Sequence, residues 1–492
     1  MDSIFAQTDA FALLAQQAPD WQWHGPDIPL PQDGTTYLWL DEQGLHLAPD
    51  WREEAPPLIW PDPLPAHPDF LTGLAALHQG QWEACTAAWE AWPVLLQHLQ
   101  DLRWMVWGQG GPAALPASPE APFSAYRQAH NRAVQAHFAP QTAAEARAEY
   151  VGERYARALA LAPDLSWHAY TLRLWASWLI DQGEYAQLMS HVAQLDPEAL
   201  PAPAYHALLS LRCRAQLLQT PYEAPLPEAL KTDLRACMNY FQGISWPIET
   251  SLLLMDAAQI AEREGHFAEA LGYLNQALSH LEEEAEDLKG QALLQKGMLL
   301  FAWTQADQPQ FCQPAIEALQ AALGYFPQDQ APAVFADIHH HLGILYAERP
   351  ASPEKAALWA AVSASSFREA LAWYTREQAP YQYGVICNNY GNALTRYRGS
   401  ERADYFQKAL DYYREALSVR DQRYPYERAI TLLNFLEASW KVGNPEGFNH
   451  DRYEDMRAKV EEVRSLVSEP DLLAEAQRHA DGLDQLMNTI SA

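Results

Sequence analysis

Apolar residues recur three and four positions apart from Ser124 to Ala492, and Gly or Pro interrupts them every 10–20 residues. A helix places such positions on one face, so the pattern predicts a succession of amphipathic helices. Ala, Leu, Gln, Glu and Arg dominate the same stretch and are strong helix formers. Each interval has the length of one arm of a helical hairpin. The last 42 residues predict two closing helices. Met456, Val460, Val463 and Val467 form the stripe of the first; Leu472, Leu473 and Leu483, after Glu469 and Pro470, mark the second.

The N-terminal stretch breaks this pattern. Pro is frequent there, and Trp21, Trp23, Trp39, Trp51 and Trp60 crowd together. The runs Tyr37-Leu-Trp-Leu40 and Leu45-His-Leu-Ala48 flank Asp41-Glu-Gln-Gly44, which predicts a β-hairpin. Its expected role is a cap over the first helices; a separate binding module is the alternative. A second break, GQGGPAALPASPEAP, reads as a loop. It lacks the Lys-Ser/Thr of a phosphate-cradling loop. The predicted organisation is a Pro/Trp-rich region at 1–65, a helical hairpin at 66–107 and a linker at 108–123. Degenerate helical repeats follow at 124–250, clearer repeats at 251–445 and capping helices at 446–492.

The clearer repeats show themselves by a fixed period. Met255–Leu278 reads MDAAQIAEREGHFAEALGYLNQAL: small Ala257, Ala258 and Ala261, a turn at Gly265-His-Phe267, then Ala270, Leu274 and Ala277 on one face. The small–large–small series returns as Ala315/Leu319/Ala322, Ser363/Phe367/Ala370 and Ala409/Tyr413/Ala416. Its last members, at 277, 322, 370 and 416, are 45, 48 and 46 residues apart. Gly343 and Gly391 mark the preceding helices, with Gly297 and Leu436 as weaker copies. Close helix crossing needs the small residue, and the large one fills the neighbouring groove. Fainter copies are Gly80-Gln-Trp82 with Cys85 and Trp89, Val151/Tyr155/Ala158, and Gly183-Glu-Tyr185.

These segments resemble tetratricopeptide repeats. The period exceeds the usual one, and CNNYGNALTRYRGSERADYFQKALDYYREALSVRDQ is similar to the long-period repeats of kinesin light chains and of proteins joined to caspase-like CHAT peptidases in bacteria. The resemblance implies an all-α, right-handed α-solenoid whose first helices line a concave groove. It also implies a protein that binds other proteins, with a caspase-like peptidase or another effector among the candidate partners.

In that register, positions three before and one after each small anchor point inward. They select Gln259, Met298, His340, Asn388, Asn392 and Glu437, and one turn further on Arg263, Arg396 and Lys441. Asn388, Asn389 and Asn392 resemble the asparagines with which such grooves clamp an extended peptide; an amide offers the donor and acceptor that a main chain leaves unpaired. The three cations form an expected basic strip that favours an acidic segment or a carboxylate. The plain alternative is a solvated polar face without a ligand.

Other chemistry is weaker. Consecutive His339, His340 and His341 lie about 100° apart on a helix and lack the one-turn spacing of zinc ligands. Asp337 and His341 are spaced to pair across one turn. Glu282-Glu-Glu-Ala-Glu-Asp287 reads as a solvated turn or an acidic patch for a basic partner. Cys85, Cys213, Cys237, Cys312 and Cys387 are dispersed, as buried cysteines of a reducing cytoplasm are, and neither metal nor cofactor is expected. The net charge of −30, from 33 Lys plus Arg against 63 Asp plus Glu, opposes nucleic acid and anionic membranes. No apolar run approaches a membrane span. The expected function is a cytoplasmic interaction scaffold or regulatory subunit, not an enzyme. The alternatives are an enzyme on an α/α-toroid, such as a glycosidase using the 18 Trp and paired carboxylates, and a peptide-sensing regulator.

Overall fold

A computed structural model describes residues 3–7, 11–25, 27–28, 30–31, 37–49, 51, 57–111, 122–140, 142, 147–281, 285–350, 352–397, 402–443 and 447–491. Contacts divide the chain into two units, residues 1–263 and 264–492.

The first unit begins with a four-stranded sheet. Strands β1 (Ser3–Ala6), β2 (Gln22–His24), β3 (Leu38–Leu40) and β4 (Leu45–Leu47) lie in the order β2-β1-β3-β4. β3 and β4 form the expected antiparallel hairpin, Leu38 opposite Leu47 and Leu40 opposite Leu45. β1 runs parallel to both β2 and β3, which corrects the expectation of a hairpin alone. β3 and β4 flank a Gly-containing turn that marks them in the sequence, whereas β1 and β2 are separated by helix α1 (Phe11–Gln17) and have no such turn. Ile4, Leu14, Leu38 and Leu45 share one core with Phe70, Leu71 and Trp89, so the N-terminal region is built into this unit. His46 bridges the hairpin to the following segment, its ring nitrogens 2.5 Å from Asp62 Oδ1 and 3.0 Å from Asp41 Oδ1.

Among the described residues of this unit, ten helices follow: α2 (Pro68–His78), α3 (Trp82–Ala88), α4 (Pro93–Trp107), α5 (Pro122–Phe138), α6 (Ala148–Leu161), α7 (Leu165–Asp181), α8 (Tyr185–Val192), α9 (Ala202–Gln219), α10 (Glu228–Gly243) and α11 (Pro247–Arg263). The range 66–107, expected as one helical hairpin, holds three helices, α2, α3 and α4. Most of the expected linker, residues 112–121, lies outside the described residues. The second unit holds α12 (Phe267–His280), α13 (Glu286–Gln305), α14 (Cys312–Leu323), α15 (Pro332–Glu348), α16 (Pro353–Trp373), α17 (Pro380–Arg396), α18 (Arg402–Val419), α19 (Pro425–Lys441), α20 (His450–Leu466) and α21 (Pro470–Ser491). Of the acidic run, Glu282 to Glu284 lie outside the described residues, and Glu286 and Asp287 open α13.

From α5 on, consecutive helices within each unit pack against one another, and every second helix, from α5 in the first unit and from α13 in the second, also touches the next of its layer. In the first unit this layer is α5, α7, α9 and α11; in the second it is α13, α15, α17, α19 and α21. Small residues set the crossings. A Cβ on Gly391 would stand 2.4 Å from Tyr413 Cε1, on Gly343 2.9 Å from Phe367, on Gly297 2.6 Å from Leu319, and on Gly73 2.1 Å from Trp89 Nε1. The flanking Ala270, Ala277, Ala315, Ala322, Ser363, Ala370, Ala409 and Ala416 are fully buried, as the repeat register requires. Gly80 and Gly183 turn the chain between paired helices in a left-handed conformation that a side chain opposes, and Gly265, which precedes α12, adopts the same conformation. Met456, Val460 and Val463 of α20 pack with Leu436 of α19 and Leu483 of α21. No helix among the described residues is long and apolar enough to cross a membrane.

Candidate functional site

The first-helix layer of the second unit carries a polar ladder. His340 stands three positions before Gly343, and Asn388 three before Gly391. Asn389 Nδ2 donates to His340 Nε2 at 3.0 Å, Asn388 Nδ2 to Asn389 Oδ1 at 3.3 Å, and Asn434 Nδ2 to Asn388 Oδ1 at 3.1 Å. The ladder joins α15, α17 and α19. An amide nitrogen has no lone pair to offer, so the His340 ring is neutral and carries its proton on Nδ1. Burial, with His341 beside it, holds the His340 pKa down at about 3. Its neighbours diverge. His341 bonds the Asp337 main-chain oxygen at 2.7 Å, not its carboxylate, and His339 lies against Phe335. Among the described residues no group of three metal-ligating side chains comes together.

The other predicted residues have partners of their own. Tyr413 donates its hydroxyl to Asn392 Oδ1 at 2.8 Å, so Asn392 faces its paired helix. Arg396 bonds Glu348, which also accepts from Gln305 at 2.7 Å. Lys441 stands 3.8 Å from Glu437, one turn away, and Met298 is half-buried in the apolar core. In the first unit, Arg263 donates to Thr220 O at 3.1 Å and covers the Tyr222 ring, while Gln259 is half-buried. Each of the three cations expected to form a basic strip thus has a neighbour of its own: Arg263 the Thr220 carbonyl and the Tyr222 ring, Arg396 Glu348, and Lys441 Glu437. Glu348 escaped the sequence reading although it stands five positions after Gly343, as Arg396 does after Gly391. At this end of the layer, a cavity of about 660 Å³ is lined by Gln305, Glu348, Arg349, Trp359, Arg396 and Tyr397, among others. The Trp359 ring there stacks with Tyr346 and is covered by the Arg349 guanidinium.

In the first unit, side chains of α5 and α7 bond main-chain atoms of the N-terminal region. Asn131 Oδ1 accepts from the Ile59 N–H at 2.7 Å, and its Nδ2 donates to the Ile59 carbonyl at 3.0 Å. Both main-chain groups of one residue are thus held by one side chain, as a neighbouring strand would hold them. His130 Nε2 donates to Pro57 O at 2.8 Å, while its Nδ1 faces the Thr171 hydroxyl at 2.8 Å. Burial holds its pKa down at about 4, with the Pro57 bond pulling up and Arg173 pulling down. Arg173 donates to Trp51 O at 2.6 Å, and its guanidinium covers the Trp51 ring. Leu58 and Ile59 are buried, and Trp60 packs on His98 and Trp89. Asn131, His130 and Arg173 were missed by the sequence reading. Asn131 stands two positions before the buried Ala133, as Asn389 stands before Gly391 and Asn434 before Leu436.

All five cysteines are buried and unpaired. Burial pushes the thiols of Cys85, Cys213 and Cys387 up to about 12 and that of Cys312 to about 11, and raises Cys237 as well. Such thiols are poor nucleophiles. No protein-family model matches this chain, and no curated protein matches it.

Proposed function

We propose that this chain is a right-handed, tetratricopeptide-type α-solenoid acting as a cytoplasmic interaction scaffold or regulatory subunit. Its first-helix layer holds a peptide segment of a partner protein, and a caspase-like peptidase or another effector is a candidate for that partner. One observation carries the reading. Asn131 binds the N–H and C=O of Ile59 together, so a first-helix asparagine in this chain does hold a main chain. Asn389 and Asn434 repeat that position in α17 and α19. With Arg396 and Lys441 already engaged, recognition rests on main-chain hydrogen bonds and apolar contact more than on capture of an acidic residue.

The test is a pull-down from the native cell with wild type, the Asn388→Ala/Asn389→Ala pair, Arg396→Glu, and Gln407→Glu on α18 as a second-helix control. Losing one buried hydrogen bond to a ligand costs about 1–3 kcal/mol, roughly tenfold or more in affinity. The asparagine pair loses the partner, and Arg396→Glu and Gln407→Glu keep it, at a temperature where all four remain folded by circular dichroism. Undiminished recovery with the asparagine pair moves the interface off this layer.

A further inference from the structure

In the first unit, α3 packs on α2 through the buried Cys85, and Trp89, just past its end, stacks on Phe70. The opposite side of α3 stays out of the core: Ala84 and Ala87, three positions apart, are exposed. Helix α4 commits Leu95 and Leu99 to the core and leaves Leu96 half-buried. A groove of about 940 Å³ is lined from both helices, by the two alanines, Leu96 and the half-buried Trp82 ring.

Carboxylates border this apolar strip. Glu83, in the first turn of α3, and Glu90, two residues past its end, both line the groove, and neither pairs with a cation among the described residues. Glu90 stands where the last carbonyls of the helix already favour a positive charge. The basic residue of the lining, Arg103, lies over the Trp82 ring at 5.6 Å and bonds Gln109 Oε1 at 3.0 Å, forming no ion pair with either glutamate. The setting is acidic as well. The first 100 residues hold fourteen Asp and Glu against one Arg and no Lys, a net −13 of the chain's −30. The sheet shares its core with α2, α3 and α4, so that charge belongs to the body that carries the groove.

Two requirements then meet in one occupant. A bare polycation would answer the carboxylates and leave Trp82 and Leu96 wet, and a neutral apolar helix would do the reverse. A helix with an aliphatic stripe flanked by Lys or Arg answers both. The small Ala84 and Ala87 let its axis approach to about 8–10 Å.

We propose that the α3–α4 groove docks a basic amphipathic helix of a partner protein. Its aliphatic stripe covers Trp82 and Leu96, and its cations reach Glu83 and Glu90. The site lies outside the first-helix layers, so it stands or falls separately from the asparagine ladder.

The probe is a fluorescein-labelled synthetic helix of Leu and Lys, with Leu on one face, titrated by anisotropy into full-length protein. Wild type binds it, and binds a shuffled peptide of equal charge and a Leu/Gln helix without charge roughly tenfold more weakly or worse. Glu83→Lys/Glu90→Lys costs roughly tenfold or more. Asp329→Lys/Glu377→Lys makes the same change of net charge at exposed positions of the second unit and leaves affinity near that of wild type. Ala84→Gln/Ala87→Gln raises the groove floor with uncharged bulk and also costs roughly tenfold. All substituted positions are exposed, and circular dichroism checks that each variant is folded. The proposal is overturned if wild type fails to bind the probe, or if either control peptide binds as tightly. It is equally overturned if both charge reversals weaken binding alike, or if the folded glutamine pair keeps wild-type affinity.

Discussion

An asparagine amide is a peptide group on a short arm, and this chain uses it in both available ways. Asn131 satisfies a backbone, and Asn388, Asn389 and Asn434 satisfy one another. The histidines beside them stay neutral for the same reason, since a buried ring cannot be charged cheaply. Burial holds His98 at about 3, His130 and His137 at about 4, and His340 at about 3. In the unfolded chain each titrates near 6.5. Between about pH 4 and 6.5 the unfolded state thus binds more protons, and stability falls as pH falls through that window. At pH 5 the loss is roughly 2 kcal/mol per histidine. Asp256 acts in the opposite sense: burial lifts it to about 6 against the pull of Arg214, so it favours folding on acidification. Four groups outweigh one. Urea midpoints should drop between pH 7 and pH 5, and His340→Gln, which keeps an acceptor for Asn389 and removes a titrating ring, should flatten the drop. A midpoint unchanged between the two pH values contradicts the buried neutral histidines.

At the scale of helices, stability is set where a small residue faces a large one. Gly391→Ala places a Cβ 2.4 Å from the Tyr413 ring, and overpacking of this kind costs about 1–3 kcal/mol. Gly272 in α12 has no heavy atom within 4 Å of its built Cβ, so Gly272→Ala should stabilise by about 0.5–1 kcal/mol through helix propensity. Denaturant titration of the two variants reads the contrast, and equal effects would mean that the crossing is not tight. This level was the most legible in the sequence, because Ala/Tyr/Ala spacing around Gly391 states a packing requirement directly. The ladder was half legible. Asn388 and Asn389 stood out beside a clear Gly anchor, but Asn131 sits two positions before an Ala in a repeat without a glycine, and Asn434 before Leu436. Partnership was not legible at all. That Glu348 bonds Arg396, and Tyr413 bonds Asn392, depends on which helices lie side by side, 48 and 21 residues apart. β1 and β2 were invisible because, unlike β3 and β4, they flank no tight turn and pair across α1, a gap that periodicity does not span.

At the scale of the molecule, an acidic chain with a net charge of −30 carries a first-helix layer in which Arg396 pairs with Glu348 and Lys441 stands beside Glu437. The account therefore stands on where a partner's segment lies. Photo-crosslinking in the native cell locates that segment whatever protein carries it. Benzoylphenylalanine is placed at Glu437, exposed on α19 of the first-helix layer, or at Gln407, exposed on α18. Mass spectrometry then identifies the adducts. The account predicts adducts from Glu437 to one contiguous segment of one partner protein, depleted by Asn388→Ala/Asn389→Ala, and none from Gln407. Adducts from Gln407 with silence at Glu437, or silence at both, would contradict it.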